Sequence, residues 1–232
     1  MLWSRCWKPP AYDARPQAAK PCEQPVSLAM TRGRLFVIAA PSGTGKTSLV
    51  KALVARRPGL SVSVSYTTRS MRANEQDGQD YHFVSVAQFR QLIERGELLE
   101  YAQVFDNFYG TPRALLEEQL AAGRHVLLEI DWQGAQQVRT RMPECTTIFI
   151  LPPSLGALEA RLRARGTDSD EVIARRLREA AGELSHWTEF TYAVVNDSFE
   201  QAVSELVRIV DGHGEDLDPA RPALQLVLER LE

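Results

Sequence analysis

Ala40-Pro41-Ser42-Gly43-Thr44-Gly45-Lys46-Thr47 stands between an apolar run, Leu35-Phe36-Val37-Ile38-Ala39, and a segment of helical periodicity, and its reading decides the fold. A strand, a Gly-rich turn and a helix in that order form a phosphate-binding loop, or P-loop. Gly43 and Gly45 let the backbone turn its N–H groups inward on a polyphosphate. Lys46 adds a point charge for the outer phosphates, and the Thr47 hydroxyl suits Mg²⁺. The helix that follows aims its positive end at the same anion. The loop departs from the pattern at its first position, where Ala40 replaces Gly, although a small side chain still fits there. A dinucleotide fingerprint fails, because it requires Gly where Ser48 stands.

From this loop outward, strands and helices alternate, which predicts an α/β fold: a parallel sheet with helices on both faces. The first helix, Lys46 to about Arg56, places Leu49, Val50, Leu53 and Val54 on one face and stops at Pro58-Gly59. Ser61 to Val64 alternates as a strand. Between Ser65 and Thr111 the rhythm changes to an α+β block that looks inserted. It holds a short strand Tyr81 to Val84, a Ser85/Gln88 capping box opening a helix that ends at Gly96, and a strand Leu98 to Val104. The main rhythm resumes with a helix from Pro112 to Gly123 and a strand His125 to Ile130. A helix near Gly134 to Arg141 and a strand Thr146 to Leu151 follow. Leu155 to Trp187 reads as two helices broken at Gly166-Thr167-Asp168, and then come a strand Tyr192 to Val195, a helix Phe199 to Val210 and a short tail helix Ala223 to Leu231.

Composition narrows the function. The 232 residues carry 27 basic and 30 acidic side chains, a net charge of −3, so no bulk basic excess argues for nucleic acid or an anionic membrane. The apolar runs fall far short of the roughly 20 residues that span a bilayer. Cys6, Cys22 and Cys145 are odd in number and lack C-x-x-C spacing, which points to a reducing, cytoplasmic setting and to no zinc site. Residues 1–30 are interrupted by Pro9, Pro10, Pro16, Pro21 and Pro25 and read as a disordered leader, with Met30 as an alternative start just before the first strand.

The remaining chemistry lies after the loop. Ser65-Tyr66-Thr67-Thr68-Arg69-Ser70-Met71-Arg72 sets two guanidiniums beside several hydroxyls, suited to a second phosphate. Tyr81 and Tyr109 could each offer a phenol O–H to that phosphate, or could be ordinary half-buried tyrosines. Glu100, with Glu129 and Asp131 at the end of a buried strand, lies where open α/β sheets bind ligands. A carboxylate there can accept from the adjacent N–H donors on guanine's Watson–Crick edge, donors that adenine lacks. The arginines of residues 155–187 read, on pattern alone, as a solvated helical face.

Together the motifs A-P-S-G-T-G-K-T, S-Y-T-T-R-S-M-R, G-Q-D-Y-H-F, L-L-E-Y-A-Q-V, F-Y-G-T, E-I-D-W-Q-G-A-Q-Q, I-F-I-L-P-P-S, R-L-R-A-R-G and V-V-N-D resemble guanylate kinases of the bacterial type from about Gly33 to Val210. The resemblance implies Mg²⁺-dependent transfer of the ATP γ-phosphoryl group to GMP, with dGMP as a related acceptor. It implies a P-loop core (31–64, 118–154 and 188–210), an inserted GMP-binding lobe (65–117), a helical lid (155–187) and a tail (211–232). Ser65, Glu100, Thr111 and Asp131 then contact guanine, while Arg69, Arg72, Tyr81 and Tyr109 hold the GMP phosphate. Residues Ala40 to Thr47 and Asn196 bind ATP, and Thr47 ligates the metal. Lys46, Arg69, Arg161, Arg165 and Arg176 act on the transferring phosphoryl group. His82, His125, His186 and His213 match no catalytic position of the family. Partners reduce to the small substrates, without nucleic acid or membrane, and a homodimer is compatible with the resemblance. Two rivals are a phosphopeptide-binding module on a degraded guanylate-kinase-like domain and a kinase of ribosyl phosphates. The intact Gly45-Lys46-Thr47 speaks against the first and the base-pocket residues against the second.

Overall fold

The computed structural model describes residues 32–104, 106–164 and 169–231. The leader 1–30, Arg165 and the Gly166-Thr167-Asp168 break lie outside the described residues. The main sheet is entirely parallel, in the order β2 (Leu60–Val62), β7 (His125–Glu129), β1 (Leu35–Ala39), β8 (Thr146–Leu151), β9 (Tyr192–Val195). β1 is central because every one of its residues is buried, and alternate side chains serve two cores. Leu35, Val37 and Ala39 join Leu116 and Leu120 of α3 (Arg113–Ala121) and Ala135 and Val138 of α4 (Trp132–Arg141). Phe36 and Ile38 join Leu49, Val50 and Leu53 of α1 (Lys46–Arg56) and the apolar stripe Ala202, Val203, Leu206 and Ile209 of α7 (Phe199–Asp211). Helices therefore cover both faces, as the sequence pattern predicts.

The block after β2 forms a second sheet, β4 (His82–Phe83), β3 (Tyr66–Thr67), β6 (Asn107–Pro112), β5 (Leu98–Val104). The capping box at Ser85 is present in both its halves and opens α2 (Val86–Glu94). Strands β3 and β6 are additions to the sequence reading. Tyr66-Thr67 is too short to show a period, and Phe108-Tyr109-Gly110-Thr111 carries a glycine that argues locally against a strand. Pairing with β5 overrides that local preference. Between Leu98 and Glu100 the β5–β6 register shifts, the sign of a bulge, and Glu100 lands directly opposite Thr111.

α5 (Leu155–Ala164) and α6 (Asp170–Leu184) pack on each other through a separate small core of Leu158, Leu162, Ile173 and Ala180. The tail helix is shorter than the pattern suggests, Gln225–Leu228, preceded by two single-turn 3₁₀ segments. Leu217 and Leu224 of this tail enter the two main cores, and Arg221 donates to the edge-strand carbonyl of Ala193 at 2.8 Å. Among the described residues no helix is long and apolar enough to cross a membrane.

Candidate functional site

The loop of Ala40 to Thr47 crosses the C-terminal end of β1 and enters α1 at Gly45, where a parallel sheet presents its ligand crevice. Gly43 and Gly45 take φ of 95° and 89°, a conformation that L side chains resist. A Cβ on Gly45 would also meet the Asn196 amide nitrogen at 2.8 Å. Thr44 turns its hydroxyl onto the Pro41 carbonyl at 2.6 Å, closing the loop on itself. Ala40 packs partly buried on the α1-side core, so the missing first glycine is filled by apolar contact.

Behind the loop sits a clasp. The Asn196 side chain, 5% exposed, donates to the Thr44 carbonyl at 2.6 Å. Arg161 from α5 donates to the Asn196 carbonyl at 2.7 Å and to the Thr44 carbonyl at 3.3 Å. Both residues brace the loop from the side away from the main cavity, which neither of them lines. Lys46 donates to the Ile130 carbonyl at 2.8 Å, and the Thr47 hydroxyl donates to Glu129 at 2.5 Å. A hydroxyl facing one strand-end carboxylate is a hard oxygen pair, the donor type Mg²⁺ takes when phosphates and waters complete its shell.

In front of the loop, a cavity of about 280 Å³ is lined by Ser42, Gly43, Lys46 and Thr47 on one wall. The opposite wall includes Ser65, Tyr81, Glu100, Tyr109 and Asp131. The structure thus brings residues from distant parts of the sequence into one space. Glu100 is 2% exposed and accepts from the Thr111 hydroxyl at 2.6 Å. Burial pushes its carboxyl up to about 7, with Thr111 pulling the other way. Asp131 caps α4, accepting from the Gly134 N–H at 2.7 Å, and burial raises it also. Tyr81 and Tyr109 meet edge to face at 5.9 Å between centroids, and burial holds the Tyr81 phenol up at about 12, so it stays a donor.

A second recess continues from Ser42 and Tyr109 to Arg69, Arg72 and Arg176. Arg69 is held by Glu75 at 2.7 Å and lies over the Tyr81 and Phe83 rings, whereas Arg72 is mostly exposed. Arg176, from α6, therefore faces the guanidiniums of the second sheet across the cleft. Arg165 lies outside the described residues.

Two residues of the site escape the sequence reading. Gly134 has to be glycine because a Cβ there would stand 2.5 Å from the Glu100 carboxylate. A glycine in the first turn of a helix was the available signal. Glu183, near the end of α6, lines the cavity between the loop and Asp131, and nothing in its local sequence marks it. Of the histidines, His125 accepts from the Arg34 N–H and His186 stacks on Trp132.

Known proteins resemble this chain in sequence and in fold. Residues 32–213 match a family model described as guanylate kinase. The chain is 50% identical over 206 residues to the guanylate kinase of Chromohalobacter salexigens, covering 87% of this chain and 96% of that one. It is 58% identical over 181 residues to that of Methylococcus capsulatus, covering 78% and 89%. It also superposes on the crystal structure of guanylate kinase from Anaplasma phagocytophilum with a TM-score of 0.66 at 33% identity, covering 86% and 95%. The chain belongs to the guanylate kinase family.

Proposed function

We propose a division of labour for the ATP:GMP phosphotransfer that family membership gives this chain. Residues 31–64, 118–154 and 188–210 form the P-loop core, 65–117 the GMP lobe, 155–187 the lid and 211–232 the tail. Glu100, set opposite Thr111 by the bulge in β5, accepts from the guanine N1–H and amino group, with Ser65, Thr111 and Asp131 completing the base pocket. The buried Glu100–Thr111 pair is the observation that carries this reading, because a buried acceptor selects the base that supplies donors.

Arg69, Arg72, Tyr81 and Tyr109 hold the GMP phosphate. Residues Ala40 to Thr47 cradle the ATP phosphates, and Lys46 leaves the Ile130 carbonyl to meet them. Asn196 and Arg161 keep the loop in shape from behind, and in the closed enzyme Arg161, Arg165 and Arg176 bring positive charge to the transferring group. Thr47 would hold Mg²⁺, with Glu129 orienting its hydroxyl, and the ion would supply positive charge against the phosphates. The acceptor oxygen of GMP is already anionic, so no general base is needed; positioning and charge neutralisation carry the rate. Closure of lobe and lid excludes water as a competing acceptor.

A cytoplasmic location is supported by the odd cysteine count and the lack of C-x-x-C spacing. The acidic net charge supports small substrates, GMP and dGMP with ATP, over nucleic acid or membrane. A homodimer is compatible with this reading, and the mass in solution decides it. The test of function is ADP release with ATP and Mg²⁺ against GMP, dGMP, AMP, CMP, UMP and a ribosyl phosphate. Turnover confined to the guanine nucleotides is expected. Equal use of AMP would refute the base-pocket assignment, and GMP binding without turnover would favour the binding-module rival.

A further inference from the structure

β5 ends the second sheet, so among the described residues one of its sides has no strand beside it. Backbone groups along such an edge need partners from elsewhere. Helix α4 supplies them with side chains. The Gln137 amide takes both backbone groups of Tyr101: Nε2 donates to the Tyr101 carbonyl at 2.7 Å, and Oε1 accepts from the Tyr101 N–H at 3.3 Å. A neighbouring strand would offer the same donor and acceptor, and only one orientation of the amide provides them. Four residues on, and therefore on the same face of the helix, Arg141 donates to the Leu99 carbonyl. Leu99 is the residue that the bulge leaves without a counterpart on β6, because Leu98 pairs with Pro112 and Glu100 with Thr111.

Between these two anchors stands Glu100. The Leu99 side chain is buried in the main core with Ala135 and Val138 of α4, and Gly134 leaves the space beside the Glu100 carboxylate. The same helix starts from Asp131, its N-cap. One helix thus sets both carboxylates of the base pocket, Asp131 directly and Glu100 through the backbone on either side of it. Tyr101 lies at the surface, 37% exposed, where water would satisfy its edge groups about as well as an amide does. What water would not supply is a fixed distance from α4. We propose that Gln137 and Arg141 are positioning residues for guanine recognition: they stand in for a strand at the edge of β5 and hold Glu100 in register with Asp131. The inference rests on Glu100 being the guanine acceptor. Neither residue lines the main cavity, so both act through Glu100.

The experiment is a double-mutant cycle in the full chain, read as kcat/KM and KM for GMP and for ATP. Gln137→Met removes both hydrogen bonds and keeps the side-chain length and a good helix former. Its kcat/KM for GMP should fall about 3- to 30-fold, mostly through KM for GMP, with KM for ATP within about 2-fold. Gln137→Ala is the second variant should the first fold poorly, with the same expectation. Arg141→Met should act in the same direction, and Arg141→Lys, which keeps a donor, should recover most of the loss; equal losses would strike Arg141 from the proposal. In a Glu100→Ala background, or Glu100→Gln if the alanine variant folds poorly, Gln137→Met should lower kcat/KM for GMP by less than about 2-fold, because the carboxylate to be positioned is gone. Additive losses, or equal losses for GMP and ATP, would give Gln137 a merely structural role and overturn the proposal. If Glu100→Ala impairs GMP use and Gln137→Met does not, the clamp alone fails. If Glu100→Ala leaves GMP use unchanged, the base-pocket assignment fails and the clamp falls with it.

Discussion

Replacing Gly134 by alanine sets two effects of opposite sign against each other. Gly134 is the third residue of α4, and on helix propensity alone alanine stabilises by about 1 kcal/mol. The new Cβ, however, would stand 2.5 Å from Glu100 Oε2, 3.2 Å from its Cδ and 3.3 Å from Ile130 Cδ1. A comfortable carbon–oxygen separation is about 3.3 Å, so the carboxylate has to retreat by about 0.8 Å. It cannot retreat freely, because its other oxygen is held by the Thr111 hydroxyl at 2.6 Å. Losing a hydrogen bond to a charged group costs about 1.5–3 kcal/mol, more than the helix gains. If that loss falls on guanine recognition, kcat/KM for GMP drops roughly 10- to 150-fold. The Kd for ATP, bound on the opposite wall, should stay within about 2-fold, a shift under half a kcal/mol. Coupled-assay kinetics with varied GMP, ATP titration and a thermal melt decide the matter. A variant with unchanged GMP kinetics and an equal or higher Tm would refute both the clash and the role of Glu100.

Other outcomes follow from the same geometry. Because burial raises Glu100 from 4.5 to about 7, the native state binds this proton more tightly than the unfolded chain does. Its contribution to stability is therefore full below 4.5 and is lost as pH rises through about 7, up to about 3 kcal/mol; Glu100→Gln should flatten that slope in urea midpoints between pH 5 and 8, and parallel curves would contradict it. The same variant should weaken use of GMP far more than binding of ATP, which substrate-by-substrate kinetics will show. Lys46→Ala should reduce turnover at least about 100-fold with GMP binding nearly intact, read by ADP release and a GMP titration. Leu224→Ala should lower stability by about 2–5 kcal/mol in a denaturant melt without altering the KM for either substrate, since Leu224 is fully packed in the core although it lies beyond the matched 32–213; a loss under about 0.5 kcal/mol would make the tail dispensable.

The sequence by itself determined the strand–loop–helix at Ala40 to Thr47, the parallel α/β core and most of the residues that line the cleft, because each rests on local signals. A strand, two glycines, Lys46 and Thr47 are contiguous, and the alternation of β1 into two cores shows as an unbroken apolar run between polar ends. The Ser85 capping box is likewise a short-range motif, read correctly from four residues. Tertiary structure alone decided what depends on pairing or on approach through space. Strand β3 exists because it pairs with β6 and β4, and strand β6 exists because β3 and β5 offer it partners, against the local preference of Gly110. The same pairing, with its bulge, turns Glu100 onto Thr111. Asp131, legible as a strand-end carboxylate, proved also to cap α4, which halves the oxygens it has free. Arg161 and Asn196, legible as members of motifs, acquired a bracing position only when α5 and the end of β9 met behind Thr44. Gly134 and Glu183 are the clearest cases. The first is required by a carboxylate distant in sequence, and the second lines the cavity only because α6 is packed into two cores, so neither constraint is written in the residues beside it.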